Sequence, residues 1–362
     1  MNEERRKRMG NNKFKLVKVK GDPYQIGLQY GEACSKEIKG FLENLYGLIH
    51  SQFSLTMDQI LKRIKPYHKF GYKYAPHLME EIKGMGVGAG ISFEEAFFLN
   101  ARGELTYEQE TEECTSYVVS KQLSSDNQLF MGQHVDMVPK NEDLGVILHI
   151  IPEKGPEILT WTIAGSIGQS GVNSKGLARC GNGLFSRGIK RGLPAQLVFR
   201  LLLEQESVDS ALELFKKLER TKASNYLIGD ASGKSVDIEA AADTFRVLEM
   251  RDGFLCHTNH FTHPDLLKFE NIPDKPDDVR QNSIIRYQRI QELSKEKKQL
   301  SEEDVFNFLR DHKNAPNSIC SHAQKGITPY QSVACVLAKP GAGKLYACKG
   351  TPCKNTYEEY RF

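Results

Sequence analysis

The spacing of the apolar residues changes character at Cys114, and that switch limits the folds open to this chain. Upstream, the pattern is mostly helical. Ile26, Tyr30, Cys34 and Ile38 fall four apart within residues 22–39, and helical patterns follow at 41–52, 56–65, 76–85 and 92–102. Gly27 and Gly31 sit one turn apart in the first of these, and Ser92-Phe93-Glu94-Glu95 opens the last as a capping box would. Only residues 14–19 alternate there as a strand does.

Downstream of Cys114 the period falls to two. Residues 115–120, 129–132, 146–151, 158–163 and 176–180 read as strands separated by Asn, Asp, Gly and Pro turns, which predicts a meander. Helices are expected at 195–203, 208–218, 277–296 and 302–311. Further strands are expected at 225–229, 235–240 and 244–249, and a closing hairpin at 332–337 and 344–349 around Lys339-Pro340-Gly341-Ala342-Gly343. Strands grouped with strands and helices with helices favour an α+β layered fold over alternating βαβ units. With no internal repeat and no Pro- or Ser-rich linker, residues 1–362 are expected to form a single domain.

Composition removes several function classes. A net charge of +3, with basic residues spread rather than striped, gives no case for nucleic-acid binding. The basic cluster Arg5 to Arg8 has no apolar stretch behind it, so neither a signal peptide nor a membrane span is expected, and a cytoplasmic location is. The eight cysteines are scattered through apolar segments without a CxxC pair, as reduced buried thiols are. His257, His260 and His263 recur every three residues, but a strand end precedes them and Pro264 disfavours a helix at His263, so no metal site is expected. Pro340 to Lys344 lacks the Ser or Thr and the first glycine of a phosphate-binding loop and reads as a turn.

Cys114 lies in Glu112-Glu113-Cys114-Thr115-Ser116-Tyr117, between an acidic loop and the first strand of the meander. A cysteine there is either a small buried apolar residue or a nucleophile, and these six residues leave both open. Motifs along the rest of the chain bear on the choice. Asp22-Pro23-Tyr24 with Gly27 and Gly31 comes first, then Asn100-x-Arg102-x-Glu104, Cys114-Thr115-Ser116 and Gly132-Gln133-His134-Val135-Asp136. Ala164-Gly165-x-Ile167-Gly168-x-x-Gly171-x-Asn173-Ser174-x-Gly176-Leu177 follows, then His257-Thr258-Asn259-His260 and Asn317-Ser318-Ile319-Cys320. In content and order these resemble the penicillin acyltransferase family, whose members are self-cleaving N-terminal-nucleophile (Ntn) hydrolases.

The resemblance implies an αββα four-layer sandwich, with two antiparallel sheets between helical layers, and a catalytic Cys114 supported by Asp136 and Asn259. It implies cleavage between Glu113 and Cys114, giving 1–113 and 114–362 as α and β subunits of a heterodimer. The base would be the new α-amine, whose pKa of about 7.7–8.0 suits exchange with a thiol of about 8.5. Asn259 would donate to the oxyanion, and Asp136 would position the nucleophile and its amine. Thr115, His134, Asn173 and His257 are candidates for the substrate pocket. The expected substrate is a small acyl amide or acyl thioester, with no cofactor, although acyl-coenzyme A could serve as acyl donor. Two departures are visible: Glu113 replaces a small residue before the nucleophile, and His134-Val135 replaces Asn-Trp. They leave room for a non-catalytic binding protein on the same fold. A papain-like site of Cys114, Asn259 and either His257 or His260 is the other alternative, although such a thiol usually begins a helix and Cys114 begins a strand.

Overall fold

The strands after Cys114 divide between two sheets rather than forming one meander. The computed structural model describes residues 12–105, 113–271 and 278–362. Strand β1 (Lys15–Gly21) leads into α1 (Pro23–Ala33), α2 (Ser35–Phe53), α3 (Met57–Ile64), α4 (His68–Tyr74), α5 (Pro76–Ala89) and α6 (Phe93–Asn100). Next come β2 (Glu113–Val119), β3 (Phe130–Met137), β4 (Gly145–Pro152), β5 (Ile158–Ile163), β6 (Ser170–Asn173) and β7 (Leu177–Cys180). Helices α7 (Ala195–Leu203) and α8 (Val208–Lys217) precede β8 (Ser224–Asp230), β9 (Ser235–Ala240), β10 (Phe245–Glu249) and β11 (Phe254–His257). The chain finishes with α9 (Asp278–Lys295), α10 (Glu302–Phe308), β12 (Gln331–Lys339), β13 (Lys344–Lys349) and β14 (Glu358–Arg361).

One sheet has the order β1-β4-β5-β6-β7-β8-β9-β10, the other β11-β2-β3-β12-β13-β14. Alternation in a strand specifies which side chains share a face but not which strand lies alongside, so the meander was a reasonable reading of a pattern that cannot show the crossing. All pairs are antiparallel except β1 with β4, which run parallel from Lys15 opposite Val146 to Gly21 opposite Pro152. A parallel pair needs a long crossover, and the helices α1 to α6 lie within it. Helices α1, α7 and α8 pack on the eight-stranded sheet and α9 on the six-stranded one, while the two sheets face each other. The architecture is therefore an α+β sandwich in four layers, helices outside and sheets inside.

Residues 22–39 do not form one helix. The chain breaks at Cys34, after which α2 turns to bury Ile38, Phe41, Leu45 and Ile49. Behind the break, α1 lies flush on α5. A Cβ added at Gly27 would stand 1.9 Å from the Glu81 carbonyl oxygen, and one at Gly84 would stand 2.1 Å from that of Tyr24. Alanine in a helix interior normally gains about 1 kcal/mol over glycine, but here the obstacle is backbone that cannot swing away. Gly27→Ala is expected to lower stability by about 1–3 kcal/mol in urea unfolding. Gly47→Ala, where an added Cβ meets nothing within 4 Å, is expected to raise it by about 0.5–1 kcal/mol.

The motifs shared with the resembled family do structural work at this end of the molecule. Asn100 donates through Nδ2 to the Gly165 carbonyl at 2.9 Å and accepts from the Ile167 N–H at 3.1 Å. Arg102 donates to Ser166 Oγ at 2.8 Å, and Glu104 accepts from the Ala195 N–H at 3.0 Å and from Thr221 at 2.6 Å. Side chains just upstream of Cys114 are thus tied to main chain far downstream of it, in surroundings too dry for water to replace these bonds.

Candidate active site

Strand β2 carries Cys114 as its second residue, and its two faces look into different cores. Cys114 and Val118 belong to the apolar cluster between the sheets, whereas Tyr117 and Val119 pack with Phe254, Ile290, Val305 and Phe308 under α9 and α10. By the period of two, Glu113 and Thr115 share the α9 face with Tyr117. Opposite them on β3, Asp136 pairs with Glu113, Val135 with Cys114 and His134 with Thr115. Thr115 and His134 therefore stand on the face of the sheet turned away from the Cys114 side chain.

Around the Glu113–Cys114 peptide the polar contacts are dense. The Cys114 N–H donates to Asn259 Oδ1 at 3.0 Å, while Asn259 Nδ2 donates to the Gly183 carbonyl at 3.0 Å. In this uncut chain the amide oxygen of Asn259, not its nitrogen, is turned toward the cysteine. Asp136 is fully buried. Its Oδ1 accepts from Ser332 Oγ at 2.7 Å and lies 2.9 Å from His134 Nδ1, and its Oδ2 has no hydrogen-bond partner among the described residues. An orphaned carboxylate oxygen in a dry interior is costly, so it marks a place where a donor is wanted. His134 Nε2 lies 2.9 Å from the Leu309 carbonyl, which can only accept, so that nitrogen carries a hydrogen, while Nδ1 also lies 2.7 Å from Ser332 Oγ.

Arg286 on α9 was not singled out from the sequence, yet it is the hub of the site. Buried to 1% exposure, it donates through Nη1 to the Cys114 carbonyl at 2.6 Å and to Thr115 Oγ1 at 2.8 Å. Through Nη2 it reaches Asn259 Oδ1 at 2.9 Å and Glu113 Oε2 at 3.4 Å, and Nε donates to Asn282 Oδ1 at 2.8 Å. A guanidinium is suited to this because its five donors point in fixed, fork-like directions. Asn282 in turn donates to Glu113 Oε2 at 2.8 Å. Burial pushes the Glu113 carboxyl up to about 7, Arg286 pulls against that, and Asp136 adds to it.

The remaining candidates are occupied elsewhere. Asn173 donates to the Leu203 and Gln205 carbonyls and accepts from the Lys175 and Leu177 N–H groups, which uses its whole capacity in a turn. His257 Nδ1 lies 2.9 Å from the Thr258 carbonyl, and its Nε2 faces Glu239 at 3.6 Å. Asp237 and Glu239 beside it outweigh burial and raise the ring to about 9. His260 is held at Nδ1 by Ser283 Oγ at 2.8 Å, and burial pushes it down to about 3. Neither imidazole is arranged as the base of a papain-like site. Burial also pushes the Cys34, Cys180 and Cys348 thiols up to about 12, which leaves them protonated and unreactive. Just past Asp136, a cleft of about 300 Å³ opens between α2 and Met137, lined by Phe41, Leu45, Leu48 and Tyr330 and by the polar Asn44 and Arg102.

Among the described residues no helix is long and apolar enough to cross a membrane. The family model described as acyl-coenzyme A:6-aminopenicillanic acid acyl-transferase matches residues 123–354, a span that contains Asp136, Asn259 and Arg286 and begins after Cys114. Among curated proteins, the 40 kDa form of acyl-coenzyme A:6-aminopenicillanic-acid-acyltransferase from Emericella nidulans is 27% identical over 322 residues, covering 86% of this chain and 85% of its own. Among solved structures, a mutant of the conjugated bile acid hydrolase from Clostridium perfringens is 14% identical with a TM-score of 0.44, covering 69% of this chain and 97% of that one. Penicillin V acylase from Agrobacterium tumefaciens is 13% identical with a TM-score of 0.45, covering 65% and 83%.

Proposed function

Because the chain belongs to the acyl-coenzyme A:6-aminopenicillanic acid acyl-transferase family, and is thereby an enzyme acting on C–N bonds, we propose that it matures by cutting itself before Cys114 and then works through an acyl-enzyme on that residue. The observation that carries this reading is the setting of one atom. The Cys114 main-chain nitrogen, which cleavage would turn into an α-amine, is buried at 3.0 Å from Asn259 Oδ1. Across the ladder, Asp136 keeps an unpartnered Oδ2 opposite Glu113. One acceptor thus stands at the atom that would become the amine, and a second lies across the ladder from the neighbouring residue, without a partner among the described residues.

In the first reaction the Cys114 sulfur attacks the Glu113 carbonyl carbon. The C–N bond breaks, the nitrogen takes the proton from the thiol, and water hydrolyses the resulting thioester to free the Glu113 carboxylate. In the mature enzyme the α-amine takes the thiol proton as the sulfur attacks the substrate carbonyl, then returns it to the leaving group. Asn259 Oδ1 and Asp136 orient that amine, and the Asn259 Nδ2 hydrogen not used by Gly183 stabilises the oxyanion. Water or an amine then accepts the acyl group. The cleft beside Met137 suits an apolar acyl chain, and an acyl amide or acyl-coenzyme A would be the donor.

Intact-mass measurement of the purified protein tests this directly. Two fragments meeting between 113 and 114, with an acyl chloroacetamide probe mapped to Cys114 in a Cys353→Ser background, is the expected result. An uncut chain that no such probe labels would sink the proposal and leave a binding protein on this fold.

Glu113 gives the uncut precursor a pH signature. Its carboxyl, raised from the usual 4.5 to about 7 in the folded chain, stays protonated where the unfolded chain ionises, so stability is full below about pH 4.5 and falls as pH rises to 7. At about 1.4 kcal/mol per pH unit the loss approaches about 3.5 kcal/mol. In an uncut Cys114→Ala background, urea unfolding at pH 5 and pH 8 should show this loss, and Glu113→Gln should abolish most of it.

A further inference from the structure

Four residues that nothing in the sequence connects converge on the far side of the six-stranded sheet's polar network. His312 lies beyond α10, Cys320 and His322 lie in the segment entering β12, and Cys353 lies in the turn between β13 and β14. One nitrogen or sulfur from each falls within 4.8 Å of all the others. His322 Nε2 is the focus, at 3.0 Å from His312 Nε2, 3.7 Å from Cys320 Sγ and 3.5 Å from Cys353 Sγ.

Hydrogen bonding alone does not account for this convergence. A ring nitrogen offers either one hydrogen or one lone pair, yet three polar atoms crowd this one. The two nitrogen–sulfur separations instead lie close to the edges of a tetrahedron around a common point, and the nitrogen–nitrogen one is a few tenths of an ångström shorter. With metal–nitrogen and metal–sulfur bonds of about 2.0–2.1 and 2.3 Å, such edges are about 3.4 Å between nitrogens and about 3.6 Å between nitrogen and sulfur. Two thiolates and two imidazoles form a donor set that selects zinc over magnesium or calcium, and four protein ligands leave no open position for catalysis.

We propose that His312, Cys320, His322 and Cys353 bind one Zn²⁺ in a closed, structural site, each thiol giving up its proton to solvent on binding. The sequence supports no such expectation, since the ligands are spaced by eight, two and thirty-one residues over two loops. The site also bears on the catalytic end of the molecule. Ser321, between two of the ligands, donates its N–H to Ser332 Oγ at 3.0 Å, and Ser332 holds Asp136 at 2.7 Å. Closing the metal site fixes the segment from which that chain of bonds hangs.

The full-length protein, stripped by chelation under reducing conditions and titrated with Zn²⁺ or Co²⁺, provides the test. The expected result is one zinc per chain after gel filtration, and with cobalt the visible bands of a tetrahedral ion together with thiolate-to-metal charge transfer. Cys353→Ser and His312→Ala, both at exposed positions, should each weaken binding by more than about 100-fold, beyond what loss of an outer partner costs, while His263→Ala should not. Substoichiometric metal in the wild type, octahedral cobalt spectra, affinity unchanged in His312→Ala, or a Cys320–Cys353 disulfide in freshly prepared protein would each overturn the assignment.

Discussion

Cys114→Ala is expected to yield one uncut chain and almost no acyl transfer. The substitution removes both the sulfur that would open the Glu113–Cys114 peptide and the atom that would carry the acyl group, so maturation and turnover fail together. Loss of a nucleophile costs about 10⁴- to 10⁶-fold in kcat, leaving only what binding and oxyanion donors supply. The fold should survive, because the Cβ is retained and the Cys114 N–H keeps its bond to Asn259 through the main chain. Cys34, Cys180 and Cys348 cannot substitute, since burial holds their thiols protonated. Cys114→Ser separates the two reactions: slow cleavage with little turnover is expected from a weaker nucleophile in the same place. Fragments ending at 113 from the alanine variant would move the nucleophile elsewhere.

Arg286→Met is expected to destabilise the uncut chain by at least about 2 kcal/mol and to lower acyl transfer by at least about 100-fold in any protein that folds. The first figure follows from the acceptors it strands: the Cys114 carbonyl and Thr115 Oγ1 are buried, and losing a charged donor costs about 1–3 kcal/mol at each unless another partner is found, whereas Asn259 Oδ1 keeps the Cys114 N–H. Glu113 adds less than an ion pair usually would, because its bond to Arg286 is long and its carboxyl can take up a proton instead. The second figure reflects geometry, since about 1 Å of misplacement at a reacting group costs on the order of 100-fold. Arg286→Lys keeps the charge but not the fork, and should recover stability more than rate. Unfolding midpoints read beside kcat distinguish the two contributions. Full activity in a folded methionine variant would remove Arg286 from the site.

Cys114, Asp136 and Asn259 stand out in the sequence only through motifs that resemble those of the family, and the structure brings Asn259 to the Cys114 main chain. Arg286 does not stand out. It sits in a helix with Arg280 and Arg289, and a helical arginine among other charges reads as a solvated face until the sheet beneath it is known. Thr115 and His134 were placed near the thiol by their nearness in sequence or motif, but alternation along β2 and β3 turns them to the other face. Strands β6 and β14 were missed for a different reason: Ser-Gly-Val-Asn and Glu-Glu-Tyr-Arg carry no apolar alternation, and they become strands only because a neighbouring edge offers them partners.

Residues 15–21 supply the outermost strand of a sheet whose other seven strands all lie downstream of Cys114. In the precursor those hydrogen bonds close within one molecule. After a cut at 113/114 the same bonds would join two, and recovery from denaturant would become second order in protein, with a midpoint that climbs with concentration where the precursor's stays fixed. Dilution would then oppose reassembly without any change in the contacts themselves. Each mature molecule would be a product of its own biosynthesis, built once as a single chain and not rebuilt at low concentration after it has come apart.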